Sequence, residues 1–96
     1  MNIGNTIKEL RIQKGIKQGD LADSIGISQT SLSLIESGAK QPSQDTLRKV
    51  CDIFEIPQPF IYYLALEEDD IPERKKNLYR TLEPKLKRDI LSLFIS

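Results

Sequence analysis

The chain of 96 residues has no histidine and one cysteine, Cys51. The commonest general base, most nucleophile pairs and the usual zinc ligand sets are therefore absent. A serine–lysine or two-carboxylate enzyme would need only residue types that are present, but no spacing along the chain supports one. Cys51 has no second thiol to pair with and falls on an apolar helical stripe, where a buried, inert thiol is expected rather than a redox sensor. What remains is binding rather than catalysis, with neither metal nor cofactor expected. The stretch whose shape decides the matter is SIGISQTSLSLIESG, Ser24 to Gly38. Ser31, Leu32, Ser33 and Leu34 alternate like a half-buried strand, whereas Ile25, Leu32 and Ile35 suit a helix crossing a core.

The length predicts one domain with a modest core. Hydrophobic residues make up 39% and charged residues 29%, ordinary for a soluble globular chain. No apolar run approaches a membrane span, and the first residues lack the pattern of a signal peptide, which predicts a cytoplasmic protein. The zero net charge is a sum of unlike parts. Residues 1–50 carry seven Lys/Arg against five Asp/Glu, residues 51–72 six acids and no base, and residues 73–96 seven bases against three acids.

Helical spacing recurs throughout. Ile3, Ile7 and Leu10 predict a first helix over about residues 2–14, stopped by Gly15. Leu21, Ala22 and Ile25 predict a second from about Gln18 to Ser24, which Gly26 lets the chain leave sharply. Ile27 plugs the turn, and Ser28 is placed to cap a third helix over about residues 29–37, closed by Gly38. Pro42 and Ser43 announce a fourth helix, striped by Leu47, Val50, Cys51 and Phe54 and ended by Pro57. Pro59 opens a short fifth through Leu64. Residues 67–72, beginning EEDD, read as a solvated acidic hinge. Beyond it, Leu78, Leu82, Leu86, Ile90, Leu93 and Phe94 form the stripe of an amphipathic tail over residues 73–96, which Pro84 is expected to interrupt or restart. A lone strand at Ser31–Ile35 would have no partner, so the stretch is helical.

Two short helices joined through a glycine, the second capped by serine, describe a helix-turn-helix. Its crossing needs apolar contacts from both helices, a small residue at the closest approach and a glycine at the bend. Leu21, Ile25, Ile27, Leu32 and Ile35 meet the first need, and Ala22 and Gly26 the other two. All seven together favour a DNA-binding element over a generic helical hairpin.

Residues 5–56, NTIKELRIQKGIKQGDLADSIGISQTSLSLIESGAKQPSQDTLRKVCDIFEI, resemble the Cro/C1-type helix-turn-helix family of phage repressors and xenobiotic-response-element type regulators. The resemblance implies an all-α fold, a five-helix repressor-like bundle over residues 1–66, here with a C-terminal helical tail. It also implies binding to double-stranded DNA as a dimer on a partly palindromic site, and repression of transcription.

Carried onto this sequence, the family's base-reading positions fall on Gln29, Thr30, Ser33 and Leu34. A glutamine carboxamide can pair with both hydrogen-bonding groups on the major-groove edge of adenine, worth about 1–3 kcal/mol of discrimination. Leu34, where relatives often carry a lysine or polar reader, would touch a thymine methyl. Lys17, Gln18, Ser37, Lys40 and Gln41 fall on phosphate-contacting positions, with Lys17 where a serine or threonine cap is common. Gly19 replaces a larger residue, either for closer approach to phosphate or because a first turn tolerates it. Arg11 and Glu36 match a salt bridge that orients the recognition helix.

So few cations near the expected interface predict weak binding by one copy, and two copies on half-sites about 34 Å apart would double the contacts. The tail stripe is the expected dimer surface, in preference to folding back on its own bundle. An alternative is an antitoxin-like protein whose tail binds a partner protein.

Overall fold

The structure is a computed structural model that describes residues 1–95. Its helices are α1 (Ile3–Gln13), α2 (Gln18–Ile25), α3 (Gln29–Glu36), α4 (Gln44–Phe54), α5 (Gln58–Ala65) and α6 (Lys76–Ile95), with single 3₁₀ turns at Glu68–Asp70 and Glu73–Lys75 between the last two. No strand occurs among the described residues. None of these helices is long and apolar enough to cross a membrane.

The helix starts follow from local chemistry. Asn2, Ser28 and Ser43 each accept a backbone N–H from three residues on with a side-chain oxygen, at 3.0, 3.0 and 3.1 Å. Between α2 and α3, Gly26 sits in the left-handed region at φ 73° and ψ 32°, and the chain turns there at no steric cost. Ile27 packs from the turn against the core, as its position predicts.

The core gathers Ile7 and Leu10 of α1, Leu21, Ala22 and Ile25 of α2, Leu32 and Ile35 of α3, four residues of α4 including Cys51, and Ile61 and Leu64 of α5. Leu32 is fully buried and Ile35 nearly so, whereas Ser33 and Leu34 between them are exposed. Ser31, beside this buried face, is half-buried. The alternation in the opening stretch is thus that of a helix with one buried face.

Four expectations need correction. Pro57 does not end α4: Glu55 does, in the left-handed conformation at φ 53°, its N–H returning to Asp52 and Cys51. Pro57 instead caps α5, where its missing N–H is no loss. Pro84 neither interrupts nor restarts the tail, because α6 runs through it. The lost backbone hydrogen bond is offset by anchors on both sides: the Tyr79 hydroxyl donates to the Leu66 carbonyl at 3.0 Å, and the Phe94 ring meets Phe60 at 5.2 Å.

The acidic residues after α5 are not a free loop. The Met1 ammonium lies 3.0 Å from Glu67 and 2.7 Å from Asp70, Glu68 pairs with Arg80, and the Asn2 N–H donates to the Ala65 carbonyl at 2.9 Å. Finally, the tail stripe is divided. Ile90 and Phe94 fold back onto the bundle together with Leu91, because the apolar ends of α5 and α6 gain more from burial against each other than either does in water. Leu78, Leu82, Leu86 and Leu93 stay exposed.

Candidate DNA-binding surface

Gln29, Thr30, Ser33 and Leu34 share one exposed face of α3, and with Gln18 of α2 they line a single shallow depression where the two helices meet. The four positions expected to read bases are therefore brought together. Leu34 is 44% exposed and supplies the only large apolar side chain among them.

A chain of hydrogen bonds runs from the protein interior to this depression. Arg11 of α1 holds Glu36 of α3 in a two-pronged contact, Nε to Oε2 at 2.8 Å and Nη2 to Oε1 at 3.0 Å, while Nη1 donates to the Ile16 carbonyl at 2.9 Å. Both side chains are shielded, Arg11 12% and Glu36 3% exposed, and such a planar fork matches a carboxylate in both distance and direction. Glu36 Oε1 also accepts from Gln18 Nε2 at 3.1 Å, and Gln18 Oε1 accepts from Gln29 Nε2 at 3.4 Å. The expected salt bridge is present, and it extends through Gln18 to the first side chain of α3.

This arrangement changes how two positions are understood. The Gln18 carboxamide is held by Glu36 and Gln29 at the edge of the depression it lines, while its backbone N–H, at the start of α2, has no partner within the helix. Lys17 makes no side-chain cap there. Gly19 explains the path of Gln29: a Cβ at residue 19 would stand 3.3 Å from Gln29 Oε1 and 3.7 Å from Cδ. The missing side chain is space that the Gln29 carboxamide uses.

At the far end of α3 the loop closes on the helix. The Ser37 hydroxyl donates to the Leu34 carbonyl at 3.0 Å and accepts the Ala39 N–H at 3.4 Å, and the Lys40 N–H reaches the same Leu34 carbonyl at 3.1 Å. Lys40 and Gln41 are exposed and border a second, polar depression with Asn2 and Ile3. Lys17 and Gln18 thus flank one end of α3, and Lys40 and Gln41 the other.

Two residues matter that motif matching did not single out. Gly4 of α1 lies so close to α3 that a Cβ there would fall 1.8 Å from the Ile35 carbonyl oxygen. The signal was present, since a glycine inside a helix costs about 1 kcal/mol against alanine and usually marks close approach. Asn2 anchors the same region, accepting the Thr6 hydroxyl on its carbonyl at 3.1 Å. Cys51 lies in the core, where burial pushes its thiol pKa up, away from the reactive thiolate. Among the described residues no group of three or more His, Cys, Asp or Glu is placed to hold a metal ion.

Residues 7–57 match the family described as "Helix-turn-helix". The cryptic phage CTXphi transcriptional repressor RstR of Vibrio cholerae is 26% identical over 89 residues, which span 93% of this chain and 78% of that protein. The uncharacterized HTH-type transcriptional regulator YgzD of Bacillus subtilis (strain 168) is 30% identical over 63 residues, 66% of this chain and 96% of its own. The ImmF control region 10 kDa protein of Bacillus phage phi105 is 42% identical over 48 residues, 50% of this chain and 53% of its own. No solved structure matches. With two apposed helices joined at Gly26, the second carrying an exposed polar face on a buried apolar one, this chain belongs to the Cro/C1-type helix-turn-helix family of DNA-binding transcriptional regulators.

Proposed function

We propose that this protein is a sequence-specific repressor that binds a partly palindromic operator as a dimer, with α3 in the major groove. The observation that carries this most directly is the depression lined by Gln18, Gln29, Thr30, Ser33 and Leu34, with Gln29 steadied from within. In this arrangement Gln29 reads an adenine edge, Leu34 packs on a thymine methyl, and Thr30 and Ser33 make adaptable contacts. Lys17, Lys40, Gln41, the Ser37 region and the backbone N–H of Gln18 hold phosphates on either side. Residues 1–66 act as the DNA-binding unit, residues 67–72 as its ion-paired connector and residues 73–96 as the tail that joins two copies.

Dimerisation follows from charge. Three lysines near the interface, Lys14, Lys17 and Lys40, supply few phosphate contacts, and joining two copies doubles them. The similarity to RstR, named as a transcriptional repressor, supports this reading. A mobility-shift titration on the protein's own upstream DNA, repeated at rising salt, tests it: a specific shift at low salt that weakens steeply with salt is expected, and its absence overturns the proposal.

The exposed leucines of α6 also favour a second use, an antitoxin-like capture of a partner protein by the tail. Co-purification of a stoichiometric neighbour-encoded protein, lost on tail truncation, would support it. Failure to recover one counts against it.

A further inference from the structure

The dimer reading leaves open how two tails would meet, and α6 carries a pattern that answers it. With Ile90 and Phe94 spent on the bundle, the free apolar surface is the groove formed by Leu78, Leu82 and Leu86 against Tyr63, Leu66 and Ile71. Leu82 is its midpoint. Leu78 and Leu86 lie four residues to either side, 60% and 45% exposed, and Leu82 itself is 47% exposed. Seven residues to either side stand a base and an acid: Asp89, nearly in line with Leu82 on a helix of 3.6 residues per turn, and Lys75, which closes the 3₁₀ turn leading into α6 and lines the same groove. Both are exposed, and the present partner of Asp89 is a surface contact from Lys85 at 3.1 Å, which solvent already weakens.

A tail whose charges are opposite and equidistant in sequence from a central leucine is complementary to itself only when reversed. We propose that the occupant of this groove is a second copy of the chain, its α6 antiparallel and centred on Leu82. Leu82 then meets Leu82 of the second copy, Leu78 meets Leu86, and Lys75 meets Asp89, each contact made twice by the two-fold symmetry. The same register carries Leu93, 66% exposed, past the first turn of the opposing α6. Parallel pairing would instead stack Lys75 on Lys75 and Asp89 on Asp89.

This inference rests on the dimer reading, and crosslinking through one introduced cysteine at a time separates the two. The three positions are exposed enough to substitute without loss of fold, and buried Cys51 serves as the unchanged control. Under mild oxidation, Leu82→Cys is expected to crosslink to itself. Leu78→Cys and Leu86→Cys alone are not, but a mixture of the two is. Lys75→Glu and Asp89→Lys should each weaken the dimer about three- to tenfold by sedimentation, and the double variant should return to within about twofold of the original. A dimer in which Leu78→Cys crosslinks to itself, or in which the charge swap fails to restore affinity, overturns the antiparallel register and leaves dimerisation standing. A chain that stays monomeric at all concentrations, on and off DNA, overturns both.

Discussion

The Gln29 carboxamide lies over Gly19, its Oε1 3.3 Å from the point where any other residue would place a Cβ. One position thus weighs helix stability against the setting of a base-reading side chain. Gly19→Ala removes the conformational cost of glycine in a helix and should raise stability by about 0.5–1 kcal/mol. The same methyl pushes Gln29 away from Gln18. Thermal melting should therefore move upward while competition among half-site variants shows a changed preference at the base Gln29 reads. A variant that is more stable with unaltered preference would show that Gln29 does not depend on this space.

Arg11→Ala leaves Glu36, 3% exposed, without its main counterion. Breaking a shielded pair from one side costs about 3–5 kcal/mol, and the loss acts on the orientation of α3 as well as on folding. Urea denaturation and operator binding should fail together. Gln18→Ala spares the ion pair and should leave the fold within about 1 kcal/mol while loosening sequence preference, since it removes one hydrogen bond to Glu36, which Arg11 still holds, and the link to Gln29.

Among the surface positions, effects should separate by kind. Gln29→Ala should relax preference at one base, with about 1–3 kcal/mol lost on the best site and little elsewhere, whereas Lys40→Ala should weaken all sequences alike and reduce the salt slope by about one. Leu34→Lys adds a cation where an apolar contact is expected, so nonspecific affinity should rise and preference change. Parallel titrations of specific and random duplexes distinguish these outcomes.

Gly4→Ala places a methyl 1.8 Å from the Ile35 carbonyl oxygen, a contact that only movement of α1 away from α3 can relieve. The chain should lose at least about 1–3 kcal/mol, as overpacked sites do, despite the better helix propensity of alanine. Measured by denaturant midpoint, it should be the mirror image of Gly19→Ala: two glycine-to-alanine changes in helices, opposite in sign.

The pairing of the Met1 ammonium with Asp70 and Glu67 ties stability to pH at both ends. Hydrogen bonds that the ammonium donates to the two carboxylates, Asp70 first, raise the amine above its ordinary value of 8.0, so its contribution is complete below that value and is lost as pH rises through the raised pKa. The same contact, first in order, lowers Asp70 below 3.8, so its contribution is complete above that value and is lost as pH falls through the lowered pKa. The melting-temperature difference between the native chain and Asp70→Asn should be level between about pH 4 and 8 and shrink beyond both limits. A constant difference across the whole range would rule out the pairing.

Leu32 and Ile35 are inward, and Gln29, Ser33 and Leu34 outward, because an apolar period of 3.6 residues allows only one face to be buried; that was readable from residue types alone. The caps at Ser28 and Ser43 and the bend at Gly26 were readable for the same reason, since each solves a backbone problem within four residues. The Arg11–Glu36 pair needed the resemblance to be foreseen, because the partners are 25 residues apart and no local rule joins them.

Other features depend on distances that no spacing encodes. The end of α4 at Glu55 rather than Pro57, and the passage of α6 through Pro84, turn on how strongly neighbouring segments are held. The split of the tail stripe into Ile90 and Phe94, which are covered, and Leu78, Leu82 and Leu86, which are not, depends on where α5 ends and how far α6 reaches along it. What the sequence determined by itself was a helix-turn-helix with its inside and outside assigned, because those follow from periodicity and local backbone chemistry. The tertiary structure alone decided what Gly4 and Gly19 make room for, where the Gln18 side chain turns and which leucines remain uncovered, because each is set by the approach of segments distant in the chain.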